Sequence, residues 1–68
     1  MKIWHCYQIK DGQHYDERFY LNPYKAMNDL DKHGHITWYL AADTWWRGAI
    51  EREWGTEYYS VRQVHVEE

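Results

Sequence analysis

Residues 36–55, ITWYLAADTWWRGAIEREWG, hold Trp38, Trp45, Trp46 and Trp54, four of the chain's five tryptophans. A packed Trp removes on the order of 200 Å² from water. At about 25 cal/mol per Å² that is several kcal/mol each before entropy is subtracted. Some of these side chains build the core, and the surplus faces something else. At its start the stretch has two readings: Ile36, Trp38 and Leu40 alternate as in a strand, while LAAD suits a helix equally well. Asp43 then offers a helix cap, and Trp46, Ala49, Ile50 and Trp54 recur at helical spacing up to Gly55, a helix stop. This predicts a second helix over residues 44–54. Gly48 weakens such a helix by about 1 kcal/mol and hints at a close backbone approach.

The segments on either side are read more simply. Residues 2–9 and 13–21 are rich in β-favouring side chains and flank Lys10-Asp11-Gly12, a turn signal. A three-residue loop segregates the side chains most cleanly. It places Ile3, Tyr7, Ile9, Tyr15, Phe19 and Leu21 on one face, and Trp4, Cys6, Gln8, His14, Asp16, Arg18 and Tyr20 on the other. His5 and Glu17 then meet on the apolar side, within hydrogen-bonding reach. Asn22-Pro23 is a helix start, with Asn as cap and Pro at the first position. That helix runs to His33, stops at Gly34, and turns Pro23, Ala26, Met27 and Leu30 onto the hairpin's apolar side. Residues 57–66 form the last strand, and the change of parity between Val61 and Val64 suggests a bulge. The expected fold is α+β: β-β-α-(x)-α-β, a small three-stranded antiparallel-type sheet with one or two helices packed on one face.

Composition narrows the function classes. Sixty-eight residues make one domain, with the thin stability margin of its size. The single Cys6 excludes an internal disulfide and fits a reducing compartment. Met1 is followed by one Lys and mixed polar and aromatic residues, and no window approaches a membrane span. A cytoplasmic protein is expected. Net charge is −3 and the basic residues are spread singly, so no run follows a phosphate backbone. Of the eleven acids only Asp16-Glu17 and Glu67-Glu68 are adjacent.

Candidate chemistry is sparse. His33-x-His35 and His5-Cys6 are the only local metal-ligand pairs. His5 and Cys6 point to opposite faces of a strand, and one cysteine is too few for the common zinc patterns. No metal or other cofactor is expected. Cys6 with His5 or His14 is the conceivable nucleophile and base, His14 lying diagonally on the same face, but nothing supplies an oxyanion site. Cys6→Ser is therefore expected to be tolerated, and no enzyme is expected. What remains is a surface of aromatics and arginines. On the predicted second helix Trp45 and Arg52, seven positions apart, share the face opposite Trp46 and Ile50. On the hairpin Trp4, Arg18 and Tyr20 cluster. These residue types are enriched at the energetic centres of protein interfaces. The five residues are the candidate partner-binding set, for a protein partner or for homodimer contacts. A nucleic-acid module stacking bases on Trp4, Tyr20 and Trp45, with Arg18 and Arg52 beside them, is one competing class, and a homodimeric structural or regulatory protein is another.

In KIWHCYQI, ERFYLNPYKAMNDL and TEYYSVRQVHVEE the order of elements resembles that of small early proteins of tailed phages that bind and inhibit a host enzyme. The inhibitors of bacterial RNA polymerase are of this type. About half of the chain carries the resemblance. It implies a stoichiometric inhibitor acting in the host cytoplasm on a macromolecular machine such as RNA polymerase, and it assigns no functional residue.

Overall fold

The computed structural model describes residues 1–66, apart from the side chain of His33. The acid pair Glu67-Glu68 lies outside the described residues. Five strands form one antiparallel sheet: β1 (Lys2–Lys10), β2 (Gln13–Tyr20), β3 (Thr37–Ala42), β4 (Trp45–Arg52) and β5 (Gly55–His65), in the order β2-β1-β5-β4-β3. A single short helix, α1 (Pro23–Leu30), continues into a 3-10 turn over Asp31–His33. The expected three-stranded sheet with one or two helices is thus corrected to a five-stranded, mostly β fold.

The correction lies in residues 36–55. The predicted helix over 44–54 is strand β4, joined to β3 by a turn at Asp43-Thr44 and to β5 by a turn at Glu53-Trp54. Trp46 and Ile50 satisfy a helical spacing of four, but with Gly48 between them they also satisfy a spacing of two. Trp46, Gly48 and Ile50 point toward α1, and Trp45, Arg47, Ala49 and Glu51 point away. Gly48 decides between the two periods. A Cβ there would lie 2.5 Å from Ile36 Cγ2 and 2.8 Å from Trp38 Cε3. The missing side chain lets β3's indole lie across β4, which is the close approach the glycine suggested. Gly55 stops no helix; it begins β5 with φ +132°.

The first hairpin has a two-residue loop instead of three. Asp11 and Gly12 both take positive φ, 53° and 75°, as an Asp-Gly turn between right-twisted strands requires. Ile9 therefore pairs with His14, and after an irregularity opposite Tyr7 Cys6 pairs with Arg18 and Trp4 with Tyr20. Asp16, with φ 54°, absorbs the extra residue. Strand β5 pairs without a register shift with both β1 and β4. Val61 and Val64 simply face opposite sides, and the expected bulge is absent from β5.

The helix begins as read. Asn22 Oδ1 accepts the Tyr24 amide at 2.8 Å and Pro23 opens the first turn. It covers the other side of the hairpin, however. Ala26 and Leu30 join Cys6, Ile36, Ile50, Tyr59 and Val61 in the core, flanked by Trp4, Tyr20, Met27, Trp38 and Trp46. The small Cys6 and Val61 offer a shallow floor on which Ala26 is fully buried. The face bearing Ile3, Tyr7 and Phe19 has no helix over it. Among the described residues no helix is long and apolar enough to cross a membrane.

Candidate functional site

The uncovered face of the sheet carries the site. Strand parity puts Trp45 opposite Arg62, Arg47 opposite Ser60 and Tyr39, and Ala49 opposite Tyr58. Trp45 is half-buried, and its indole N–H donates to the fully buried Ser60 Oγ at 2.8 Å. That bond fixes the ring's position over the sheet. Arg47 Cζ lies 5.2 Å and Arg62 Cζ 5.5 Å from the Trp45 ring centroid. Each cation–π contact contributes about 0.5–1 kcal/mol at an exposed site. Among the described residues neither guanidinium forms a salt bridge; those present are His5–Glu17, His14–Glu17, Lys32–Asp29 and Arg52–Glu57. Two positive charges thus bracket one pre-positioned indole.

The β1–β2 half of the same face is aromatic. The His5 ring stacks on Phe19 at 4.7 Å, and Tyr7 stacks on His14 at 3.9 Å. His5 Nε2 lies 3.1 Å from Glu17 Oε1. The approach is off the line of a hydrogen bond, so the buried nitrogen has an electrostatic neighbour and no hydrogen-bond acceptor. This is the His5–Glu17 meeting expected from the sequence, on the open side. Phe19 is 60 %, Tyr39 52 % and Tyr58 48 % exposed. An antiparallel sheet usually turns polar residues to water on its free side. This one turns aromatics and two arginines, with His14, Glu17 and Glu51 among them.

The five residues singled out in the sequence do not make one surface. Trp45 and Arg52, seven positions apart, share a helical face but lie on opposite sides of a strand. Arg52 sits on the α1 side, where its Nε donates to Glu57 Oε1 at 3.1 Å and its guanidinium packs against Gly34. Its Cζ is also 5.9 Å from the Trp54 ring. Tyr59 O–H reaches the same Glu57 oxygen at 3.4 Å. Burial, and then the Glu57 charge, push the Tyr59 hydroxyl up. Arg52 is a structural clasp. Trp4, Arg18 and Tyr20 do come together, with Trp4 paired to Tyr20, but on the α1 side. Trp4 and Tyr20 flank the core, and Tyr20 O–H donates to Asp29 Oδ2 at 2.8 Å. That bond raises the Tyr20 pKa and lowers that of Asp29. Arg18 is exposed and lines an open groove with Asp16, Asp29 and Lys32. Stacking platforms at Trp4, Tyr20 and Trp45 cannot serve one nucleic-acid strand, because Trp45 lies on the far side of the sheet.

Cys6 and His14 are likewise separated, with Cys6 1 % exposed beneath α1 and His14 on the open face. Burial pushes the Cys6 thiol up, which opposes nucleophilic use. Among the described residues no three of His, Cys, Asp and Glu gather as metal ligands. The reading from sequence missed Arg47, Arg62, Ser60 and Tyr39. Reading 45–51 with period two would have joined Trp45 to Arg47, and an antiparallel β4–β5 hairpin would have brought Arg62 beside them. No protein-family model, curated protein or solved structure matches the chain.

Proposed function

We propose that this chain is a non-enzymatic binding protein that lays the open face of its sheet on another protein. In the sense the phage resemblance implies, it blocks a host macromolecular machine such as RNA polymerase by occupying it. The observation that carries the reading is Trp45, hydrogen-bonded to Ser60 and bracketed by Arg47 and Arg62, neither of them neutralised by a described carboxylate. An indole already fixed loses little entropy on docking. Arginines at the centre of an interface give charge-assisted, often bidentate hydrogen bonds to carboxylates. The chain's acidic balance, −3 overall, does not oppose this, because the face around Trp45 is locally basic. Half-exposed Tyr39, Tyr58 and Phe19 extend the contact on either side.

The test is affinity capture from bacterial lysate, followed by titration of the captured protein. The wild-type chain is expected to retain a partner in stoichiometric amount and to inhibit it in proportion to occupancy. Charge reversal, Arg47→Glu with Arg62→Glu, is expected to weaken capture about tenfold or more with the melting point nearly unchanged. Failure to retain any partner, or equal capture by the reversed variant, refutes the reading. Gel shifts with single-stranded DNA and RNA, run in parallel, reveal a nucleic-acid binder if the shift is lost in the same variant.

A further inference from the structure

The sheet has two edges, and they are built differently. On the β2 edge the chain reads Asp16-Glu17-Arg18, and Asp16 kinks the backbone with φ 54° where the β1–β2 register shifts. Charges and a bulge are the usual protection of an edge. The β3 edge lacks the charges. TWYLAA contains no charged residue and no proline, and every residue except Trp38 is exposed. Among the described strands β3 pairs with β4 alone, which leaves its outer edge open; on the α1 side its Trp38 indole N–H donates to Asp31 Oδ1 at 3.2 Å. Its one irregularity falls between Leu40 and Ala42, which leaves Thr37–Leu40 in regular register. An edge of this kind presents unpaired N–H and C=O groups that template another strand.

We propose that β3 pairs antiparallel with the β3 of a second copy of this chain, across a two-fold axis at Tyr39, joining two sheets into one of ten strands. The sequence of β3 complements itself in that register. Trp38 falls opposite the partner's Leu40, and Leu40 opposite the partner's Trp38. Both residues belong to the α1 side, since Trp38 pairs with Gly48 and Leu40 with Trp46. The half-exposed Leu40 is then flanked by the partner's strand, while each Trp38 stays over its own Gly48 with its indole N–H on Asp31. On the open side Tyr39 meets the partner's Tyr39 as a cross-strand aromatic pair. No charge is brought against its own copy at the axis, where like charges would oppose pairing. An unrelated strand would have to bring this pattern; a second copy carries it already. The axis is perpendicular to the sheet, so both open faces look the same way and present two Arg47–Trp45–Arg62 clusters. The inference goes beyond the proposed binding function and does not rest on it.

Sedimentation velocity of the full chain from about 1 to about 200 μM, with hydrogen exchange at both limits, tests it. The expected result is a concentration-dependent shift from monomer to dimer, with the amides of residues 37–40 better protected at the upper limit. Leu40→Lys and Tyr39→Lys, on opposite faces of the strand, should each weaken the dimer about tenfold or more while the circular dichroism is retained. A monomer at the upper limit overturns the proposal. So does a dimer that survives both lysine variants, or one whose protection appears on the open face instead of at 37–40. If a lysine variant unfolds, the exchange pattern of the wild-type chain decides.

Discussion

At Gly48 a single hydrogen atom keeps two strands in contact. Gly48→Ala would drive a methyl group into Ile36 and the Trp38 ring, which approach a Cβ there to 2.5 Å and 2.8 Å. The expected loss is about 1–3 kcal/mol, a large share of the stability of so small a domain. Urea denaturation measures it, and an unchanged midpoint would show that Trp38 does not cross β4 there. Cys6 is the second such residue. Because it is 1 % exposed in the core, Cys6→Ser is not silent, contrary to the expectation from sequence. A hydroxyl in that core, with the Arg18 backbone amide as its polar neighbour, is expected to cost about 1 kcal/mol in a urea titration, whereas Cys6→Ala is milder. The pH dependence follows from the same burial. The folded thiol, and the Tyr20 and Tyr59 hydroxyls, keep their protons to higher pH than in the unfolded chain. Their contribution is complete below the unfolded pKa values and is lost as pH rises through the folded ones, so stability declines above about pH 9. Asp29, lowered by the Tyr20 hydroxyl, acts in the other sense and its contribution fades as the folded carboxylate protonates in acid. Denaturation titrations across pH should show a plateau between these limits, with part of the alkaline decline removed in Cys6→Ala.

Among the elements, α1 was legible because its signals are local. Asn22 caps, Pro23 opens, Ala26 and Leu30 turn inward, and Gly34 ends the 3-10 turn. Asn22→Ala removes the bond to the Tyr24 amide and is expected to cost about 1 kcal/mol, read as a lower melting point. The hairpin β1–β2 was legible as a hairpin, and its register was not. Asp11-Gly12 by itself favours two residues, but the Asp16 bulge shifts the outer pairs and makes a three-residue loop look cleaner. Strand β4 was illegible for a different reason. Large residues at 46, 50 and 54 imitate a helical stripe, and the tie is broken by Gly48, whose missing side chain admits Trp38, together with the pairing of β4 to both β3 and β5. Trp46 remains structural on either reading. It flanks the core and meets Tyr24 edge-on at 6.2 Å. Trp46→Ala should cost about 3 kcal/mol, and a variant melting with the wild type would remove Trp46 from that packing.

In the whole molecule, what matters for function is which side of the sheet α1 covers. No pattern within β1 or β2 decides that, because both faces are aromatic. Tyr7, Phe19 and His5 on one side balance Trp4, Cys6 and Tyr20 on the other. The covered side follows from β5 and β4, whose Tyr59, Val61 and Ile50 complete the core beneath the helix. Once that side is filled, Trp45, Arg47 and Arg62 are left in the open, and Arg52 is drawn into the fold. The five tryptophans report this division separately. Trp45 lies on the open face, Trp4, Trp38 and Trp46 lie on the α1 side, and Trp54 lies in the β4–β5 turn, 75 % exposed. Each has one indole N–H, so an ¹⁵N-labelled chain titrated with its captured partner yields five distinguishable signals. The Trp45 signal is expected to shift or broaden at stoichiometric partner, while those of Trp4, Trp38 and Trp46 stay in place. Movement of Trp4 with Trp45 unmoved would put the partner on the α1 side and contradict the open-face account.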